Sequence, residues 1–377
     1  MTLGTAASKP LDHWYAACDR VVGSRTFRRW AEAFPPTRWI ARRRARDVFD
    51  LCAGFVYSQV LLACVRLRLF DILAEGPQTL AALARRISLT EESAGRLLAA
   101  AVSLRLAERR GGERYGLGDL GRAIAGDAAI VAMVEHHVAL YADLRDPVAL
   151  LQGRRADTAL AAFWPYAGAA HPAVLPAAPT AAYSALMSQS QALISGQVLA
   201  AHDFSPHRCL LDVGGGEGAF LSAVAATCPD LRLMLFDLPP VAASARERFA
   251  AAGLSGRASV HGGDFLADAL PKGADAISLV RVLHDHDDAG ALRILRAAHD
   301  ALPAGGTVIV AEPMAGTPGA EAMGDAYFGF YLLAMGRGRA RAPAQLVQML
   351  AAAGFARARQ VPTRIPLQTG LVVARKT

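Results

Sequence analysis

The sequence predicts a two-part molecule. Its N-terminal half is mainly α-helical and ends in a winged-helix pattern; its C-terminal half is α/β, built on a doubly wound, mostly parallel sheet. Three observations carry this. Apolar residues recur at helical spacing from Asp47 to about Asp127 and close on a hairpin pattern. After Pro206 short strands and helices alternate. A glycine-rich turn follows the first of those strands. A chain of 377 residues admits two to three domains and more than one core.

Residues 1–46 read as a basic, aromatic arm. Trp14, Phe27, Trp30, Phe34 and Trp39 are interleaved with nine arginines from Arg20 to Arg46, and Pro35-Pro36 breaks the arm in two. The chain's net charge is +7, and much of it lies here. Residues 47–127 read as the winged-helix domain. Val56, Val60, Leu61, Cys64 and Val65 mark one helix, which Gln59 and the following Arg66 and Arg68 mark as buried instead of membrane-spanning. Thr79 caps a second helix carrying Leu80, Leu83 and Ile87. Thr90, with Glu91 and Glu92 in the first turn, opens a third over Glu91–Leu104. Gly111-Gly112 between two short strand-like runs reads as the hairpin.

Residues 128–200 read as a helical linker region, interrupted by the Pro- and Ala-rich stretch Pro165–Pro179. Residues 201–377 carry the sheet. Strands are predicted at Cys209–Val213, Leu231–Phe236, Ser259–Gly262, Ala276–Val282 and Thr307–Ala311. Helices are predicted at Phe220–Thr227, Ala242–Ala251 and Ala289–Ala301. Hydrophobic residues make up 53% and charged residues 19%, which excludes a disordered chain. Met1–Pro10 shows no secretory pattern. Five scattered cysteines without metal spacing point to reduced thiols and a cytoplasmic setting.

The turn Asp212-Val-Gly-Gly-Gly-Glu-Gly218 lets main chain approach a ligand closely. Its Gly-x-Gly-x-Gly spacing differs from the dinucleotide fingerprint. Asp237 ends the second strand, where a carboxylate can accept from both ribose hydroxyls. Asp264 follows the third strand, placed for an adenine amino group, with Phe265 beside it to pack on the ring. Glycines, Asp and Asp at three successive strand ends favour a nucleoside with an amino-acid tail, S-adenosylmethionine, over helix capping alone.

Together with these, Phe236-Asp-Leu-Pro239, Gly262-Gly-Asp-Phe265, Arg281-Val-Leu-His-Asp285 and Gly306-Thr-Val-Ile-Val-Ala-Glu312 resemble the O-methyltransferases of the plant phenolic and acetylserotonin type. The arm and the run Asp50–Tyr57 look most like the bacterial hydroxyneurosporene (demethylspheroidene) branch. The resemblance implies a Rossmann-like methyltransferase domain after a winged-helix dimerisation domain, hence a homodimer. It implies that Asp212, Gly214, Gly216, Asp237, Leu238, Asp264, Phe265 and Arg281 hold S-adenosylmethionine. It assigns His284 as general base, with Glu312 or Asp285 orienting it. Plant relatives place a second glutamate near what is here Arg339-Ala340-Arg341, and this sequence has none there.

Phe328, Tyr331 and Met335 follow Glu312 by about one helix and are candidates for the acceptor pocket. The cluster His284-Asp-His-Asp-Asp288 lies on consecutive residues at a strand end, which rarely converge on one ion, so no metal is expected. The expected partner is a hydrophobic acceptor, the tertiary hydroxyl of an acyclic hydroxycarotenoid. A phenolic or polyketide natural product is the alternative. Residues 14–46 suit peripheral contact with the inner or photosynthetic membrane. The competing class, a winged-helix DNA-binding regulator, is disfavoured. The positive charge lies mainly in residues 20–46, outside Glu91–Leu104, the helix that would read a groove and that carries only Arg96, so no nucleic-acid partner is expected.

Overall fold

The computed structural model describes residues 8–155, 157–163 and 191–377. The predicted Pro165–Pro179 interruption falls outside them. The chain divides into two compact units, Met1–Gly126 and Asp127–Thr377.

The first unit opens with helices Ser8–Gly23, Arg25–Ala33 and Pro35–Arg66. Ser24 caps the second, accepting from the Phe27 amide at 3.1 Å. Pro35 starts the third, where its missing N–H costs nothing. That helix runs unbroken across residues 46 and 47, so the change in charge between arm and domain coincides with no break in the backbone. Its C-terminal turns are buried as expected, at Leu62, Cys64 and Val65, but the turns before them are not. Val48, Phe49, Leu51 and Phe55 are all exposed, Leu51 at 85%. An 18-residue window reaches a mean hydropathy of 1.8, long and apolar enough to cross a membrane by length and composition. Thr79 and Thr90 cap Leu80–Arg86 and Glu91–Ser103. Strands β2 (Ala107–Arg110) and β3 (Arg114–Leu117) pair antiparallel, and β1 (Gln78–Thr79) adds to β3, completing the wing.

In the second unit, helices Ala128–Asp143, Pro147–Leu151, Ala159–Phe163 and Gln191–Ala201 precede a seven-stranded sheet. Its strands are β4 (Cys209–Val213), β5 (Arg232–Asp237), β6 (Ala258–Gly262), β7 (Ala276–Val280), β8 (Thr307–Glu312), β9 (Phe355–Val361) and β10 (Gly370–Lys376). The order is β6-β5-β4-β7-β8-β10-β9. The first five strands are parallel; β10 lies antiparallel between β8 and β9. Alternate residues feed two cores. Leu211, Ile277 and Val308 face one side; Leu210, Ala276 and Ile309 face the other. Strand order reverses between β4 and β7, which opens a crevice at their carboxyl ends. The last two strands lie beyond Glu312, where the strand assignment from sequence ended.

Candidate active site

The glycine turn leaves β4 with Gly214, Gly216 and Gly218 all at positive φ. A Cβ on Gly214 would meet Val282 Cγ2 at 2.8 Å, and the Phe265 ring lies just beyond. A Cβ on Gly216 would meet nothing within 4 Å. The turn is therefore packed on one side and open on the other, a cradle for a ligand. Asp237 closes it. Its carboxylate accepts from the Gly216 and Leu238 amides, each at 2.7 Å. Burial pushes Asp237 up to about 6 despite those two donors. Each oxygen keeps a lone pair, which suits two ribose hydroxyls.

Asp212 stands behind the turn. Its Oδ1 accepts from Ser278 Oγ at 2.6 Å, and its buried Oδ2 has no partner among the described residues. A Cβ on Gly215 would come within 2.7 Å of that oxygen. Burial raises Asp212 to about 7. It supports the turn from beneath. Asp264 accepts from the Leu266 amide at 2.8 Å, while its own amide donates to Asp268. Phe265 is half-buried, with its ring edge-on to His286 at 5.5 Å. These groups fit S-adenosylmethionine: an open glycine cradle, paired acceptors on Asp237 and a ring beside the turn.

The chain leaves β7 with Arg281 at φ +59°, its amide bonded to the Ala311 carbonyl at 2.8 Å. That kink turns the chain into a short 3₁₀ segment, Leu283–Asp285. His284 is 4% exposed. Its Nδ1 lies 2.5 Å from Glu312 Oε2. Glu312 Oε1 accepts from the Val282 and Leu283 amides at 3.0 and 2.7 Å. A proton on Nδ1 satisfies Glu312 and leaves Nε2 with its lone pair. Asp285 Oδ1 lies 3.1 Å from Nε2, close enough for an ion pair but misaligned for a hydrogen bond. Burial alone would lower the His284 pKa. The carboxylates of Asp285 and Glu312 outweigh it, and the net shift is upward. Asp287 caps the next helix through the Gly290 amide at 2.8 Å.

On the acceptor side, Phe328 stands edge-on to His284 with centroids 5.9 Å apart. Tyr331 and Met335 are buried in a cluster with Leu140, Leu150 and Leu160. A π-helical turn, Ala322–Tyr327, leads into Phe328–Met335. Two contacts escaped the sequence reading. His136 Nε2 lies 2.7 Å from the Tyr331 hydroxyl and His137 Nε2 lies 2.8 Å from that of Tyr327. Burial lowers both histidines, His136 to about 4, and pushes Tyr327 up to about 12. Both contacts tie Ala128–Asp143 to the segment carrying Tyr327, Phe328 and Tyr331. Among the described residues no cluster of His, Cys, Asp or Glu is placed to hold a metal ion.

Comparison with known proteins agrees with this geometry. Residues 146–356 match the O-methyltransferase domain family and residues 49–127 the O-methyltransferase dimerisation domain. The demethylspheroidene O-methyltransferase of Cereibacter sphaeroides is 46% identical over 355 residues, 94% of this chain and 93% of the relative. That of Rhodobacter capsulatus is 40% identical, covering 95% and 88%. Among solved structures, human N-acetylserotonin methyltransferase in complex with SAM superposes with a TM-score of 0.71 at 25% identity, covering 88% of this chain and 97% of that one. A SAH-bound methyltransferase of calicheamicin biosynthesis gives 0.74 at 27%, covering 89% and 98%. The chain belongs to the S-adenosylmethionine-dependent O-methyltransferases that carry an N-terminal dimerisation domain.

Proposed function

We propose that this enzyme methylates the tertiary hydroxyl of an acyclic hydroxycarotenoid, hydroxyneurosporene or demethylspheroidene, in carotenoid biosynthesis, with His284 as general base. The observation that carries the base is the buried imidazole whose Nδ1 is committed to Glu312 at 2.5 Å. The acceptor rests on the two relatives at 46% and 40% identity, both named demethylspheroidene O-methyltransferases. Acetylserotonin O-methyltransferase of mouse is 34% identical and matches 84% of this chain.

S-adenosylmethionine supplies an electrophilic methyl group on its sulfonium. The chain's own work is to align the acceptor oxygen with that methyl and to remove one proton. Moving a proton from a phenol to an ordinary histidine costs roughly 5 kcal/mol. For a tertiary alcohol, with an assumed pKa near 17, the cost is about 14 kcal/mol. Full prior ionisation is thus out of reach, and the proton leaves late, once the oxygen has begun to bond to methyl. A raised pKa at His284 suits a base that acts at that late stage. Phe328 lines the approach to it, and Tyr331 and Met335 shape the wall behind.

The protein works in the cytoplasm, and its arm rests on an anionic bilayer from which the polyene enters. Trp14, Tyr15 and Trp39 are at least 60% exposed. Arg42, Arg43, Arg44 and Arg46 are exposed beside them in sequence. This composition supports interfacial binding. The test offers the purified enzyme hydroxyneurosporene or demethylspheroidene in liposomes beside soluble phenols. Methylation of the carotenoid alcohol is expected. Efficient turnover of a small phenol with none of the carotenoid would overturn the acceptor and favour a phenolic or polyketide substrate.

A further inference from the structure

Glu312 orients the ring of His284 from one side. A second set of contacts comes from the stretch Arg339-Ala340-Arg341. That short stretch grips the main chain around His284. The Arg341 guanidinium is buried, 2% exposed as a residue. Its Nη1 donates to the Leu283 carbonyl and its Nη2 to the His286 carbonyl, both at 2.7 Å. Its Nε donates to Asp288 at 3.0 Å. Asp288 in turn accepts two bonds from Arg339, at 2.9 and 2.7 Å. The Arg339 amide donates to the His284 carbonyl itself at 2.9 Å. Gly338, at φ +81°, makes this approach possible, because a Cβ there would lie 2.0 Å from the His284 oxygen.

We propose that Arg341, steered by Asp288, is a positioning residue for His284: its guanidinium fork fixes the backbone on both sides of the base. The inference rests on the reading of His284 as the base. Glu312 already holds the Val282 and Leu283 amides from one side. Arg341 and Arg339 hold the carbonyls of Leu283, His284 and His286 from the other. The imidazole then keeps only its side-chain torsions, and Glu312 sets those. Burying a guanidinium is costly unless all its bonds are made, and here the planar fork meets three acceptors at once. A lysine ammonium could keep the charge but not that geometry.

The test compares Arg341→Lys, Asp288→Asn and His284→Gln in the full-length enzyme. Asp288 is surface-exposed, so Asp288→Asn leaves the core unaltered if Arg341→Lys fails to fold. Both clamp variants are expected to lower kcat by about tenfold or more, as misplacement of a reacting group does. S-adenosylmethionine affinity and acceptor KM should stay within about twofold, a change too small to register as a lost hydrogen bond. The acidic limb of the kcat profile should move to lower pH. Asp285 and Glu312 raise the His284 pKa while Arg281 lowers it; Arg339 and Arg341 bond to the neighbouring main chain, and His286 follows two residues on. A loosened imidazole loses the two carboxylates first. If His284→Gln is inactive while both clamp variants match the parent in kcat and pH limb, the clamp is wrong and the base stands. Full activity of His284→Gln removes the base, and the clamp with it. If kcat falls only in step with cofactor affinity or melting temperature in both clamp variants, Arg341 serves the fold alone and the inference fails.

Discussion

Burial lifts Asp237 to about 6, so the carboxylate that faces the cradle changes charge within about two pH units of neutrality. Ribose hydroxyls need its ionised form as acceptor. S-adenosylmethionine affinity should therefore be flat near pH 7.5 and fall by about tenfold per unit below about pH 6. Asp237→Ala should weaken binding at pH 7.5 by about 1.5–3 kcal/mol per lost bond and abolish the pH dependence. Calorimetry at pH 5 and 7.5 reads both, and an unchanged affinity in the variant takes Asp237 out of the site. The sign reverses for the stability of the free chain. Asp212 and Asp237 have raised folded pKa values, so their contribution is present at low pH and lost as pH rises through about 6 and 7. His284→Gln should cut turnover by roughly 10²–10⁴-fold while cofactor affinity holds. EDTA should change nothing, and activity lost to EDTA and restored by magnesium would replace this mechanism with a metal-assisted one.

Elements whose signals are local were legible in the sequence. Thr79, Thr90 and Asp287 announce helix starts because a side-chain oxygen satisfies an amide two or three residues on. The inner parallel strands β4, β7 and β8 are short runs with both faces buried, and such runs stand out within a few residues. What stayed hidden depends on distance along the chain. The histidines at 136 and 137 meet tyrosines some 190 residues away, and nothing in either segment announces the other. Nothing local marks Arg341 as a buried group; only the fold reveals that it is buried against the carbonyls of Leu283 and His286. The glycine turn was read for its freedom at positive φ, yet its bond from Gly216 to Asp237 spans 21 residues and needed the β4–β5 pairing to appear. Helix Pro35–Arg66 was divided at its change of charge because composition shifts there, while backbone hydrogen bonding does not.

At the scale of the whole molecule, two exposed surfaces of the first unit can be tested separately. Val48, Phe49, Leu51 and Phe55 are apolar and exposed in the single chain, and all but Val48 lie within the dimerisation match, which begins at residue 49. A second copy covers such a face, and the enzyme is a homodimer. The arm lies before that match. It carries nine arginines between Arg20 and Arg46, all exposed. Near an anionic surface each is worth about 1 kcal/mol and is screened within a Debye length. Full-length enzyme should sediment with phosphatidylglycerol vesicles at low salt, release as salt rises, and ignore purely zwitterionic vesicles. Replacing Arg42, Arg43, Arg44 and Arg46 by Gln should abolish sedimentation while light scattering still reports twice the 39.7 kDa chain. The opposite pattern, no vesicle binding by the parent and a monomer after replacement, would assign the arm to the dimer interface. Turnover links the two surfaces to the site. If the arm delivers a membrane-dissolved polyene, the replaced variant should lose activity on carotenoid in anionic liposomes and keep it on the same acceptor in detergent. Equal loss in both would mean that the arm serves assembly instead of access.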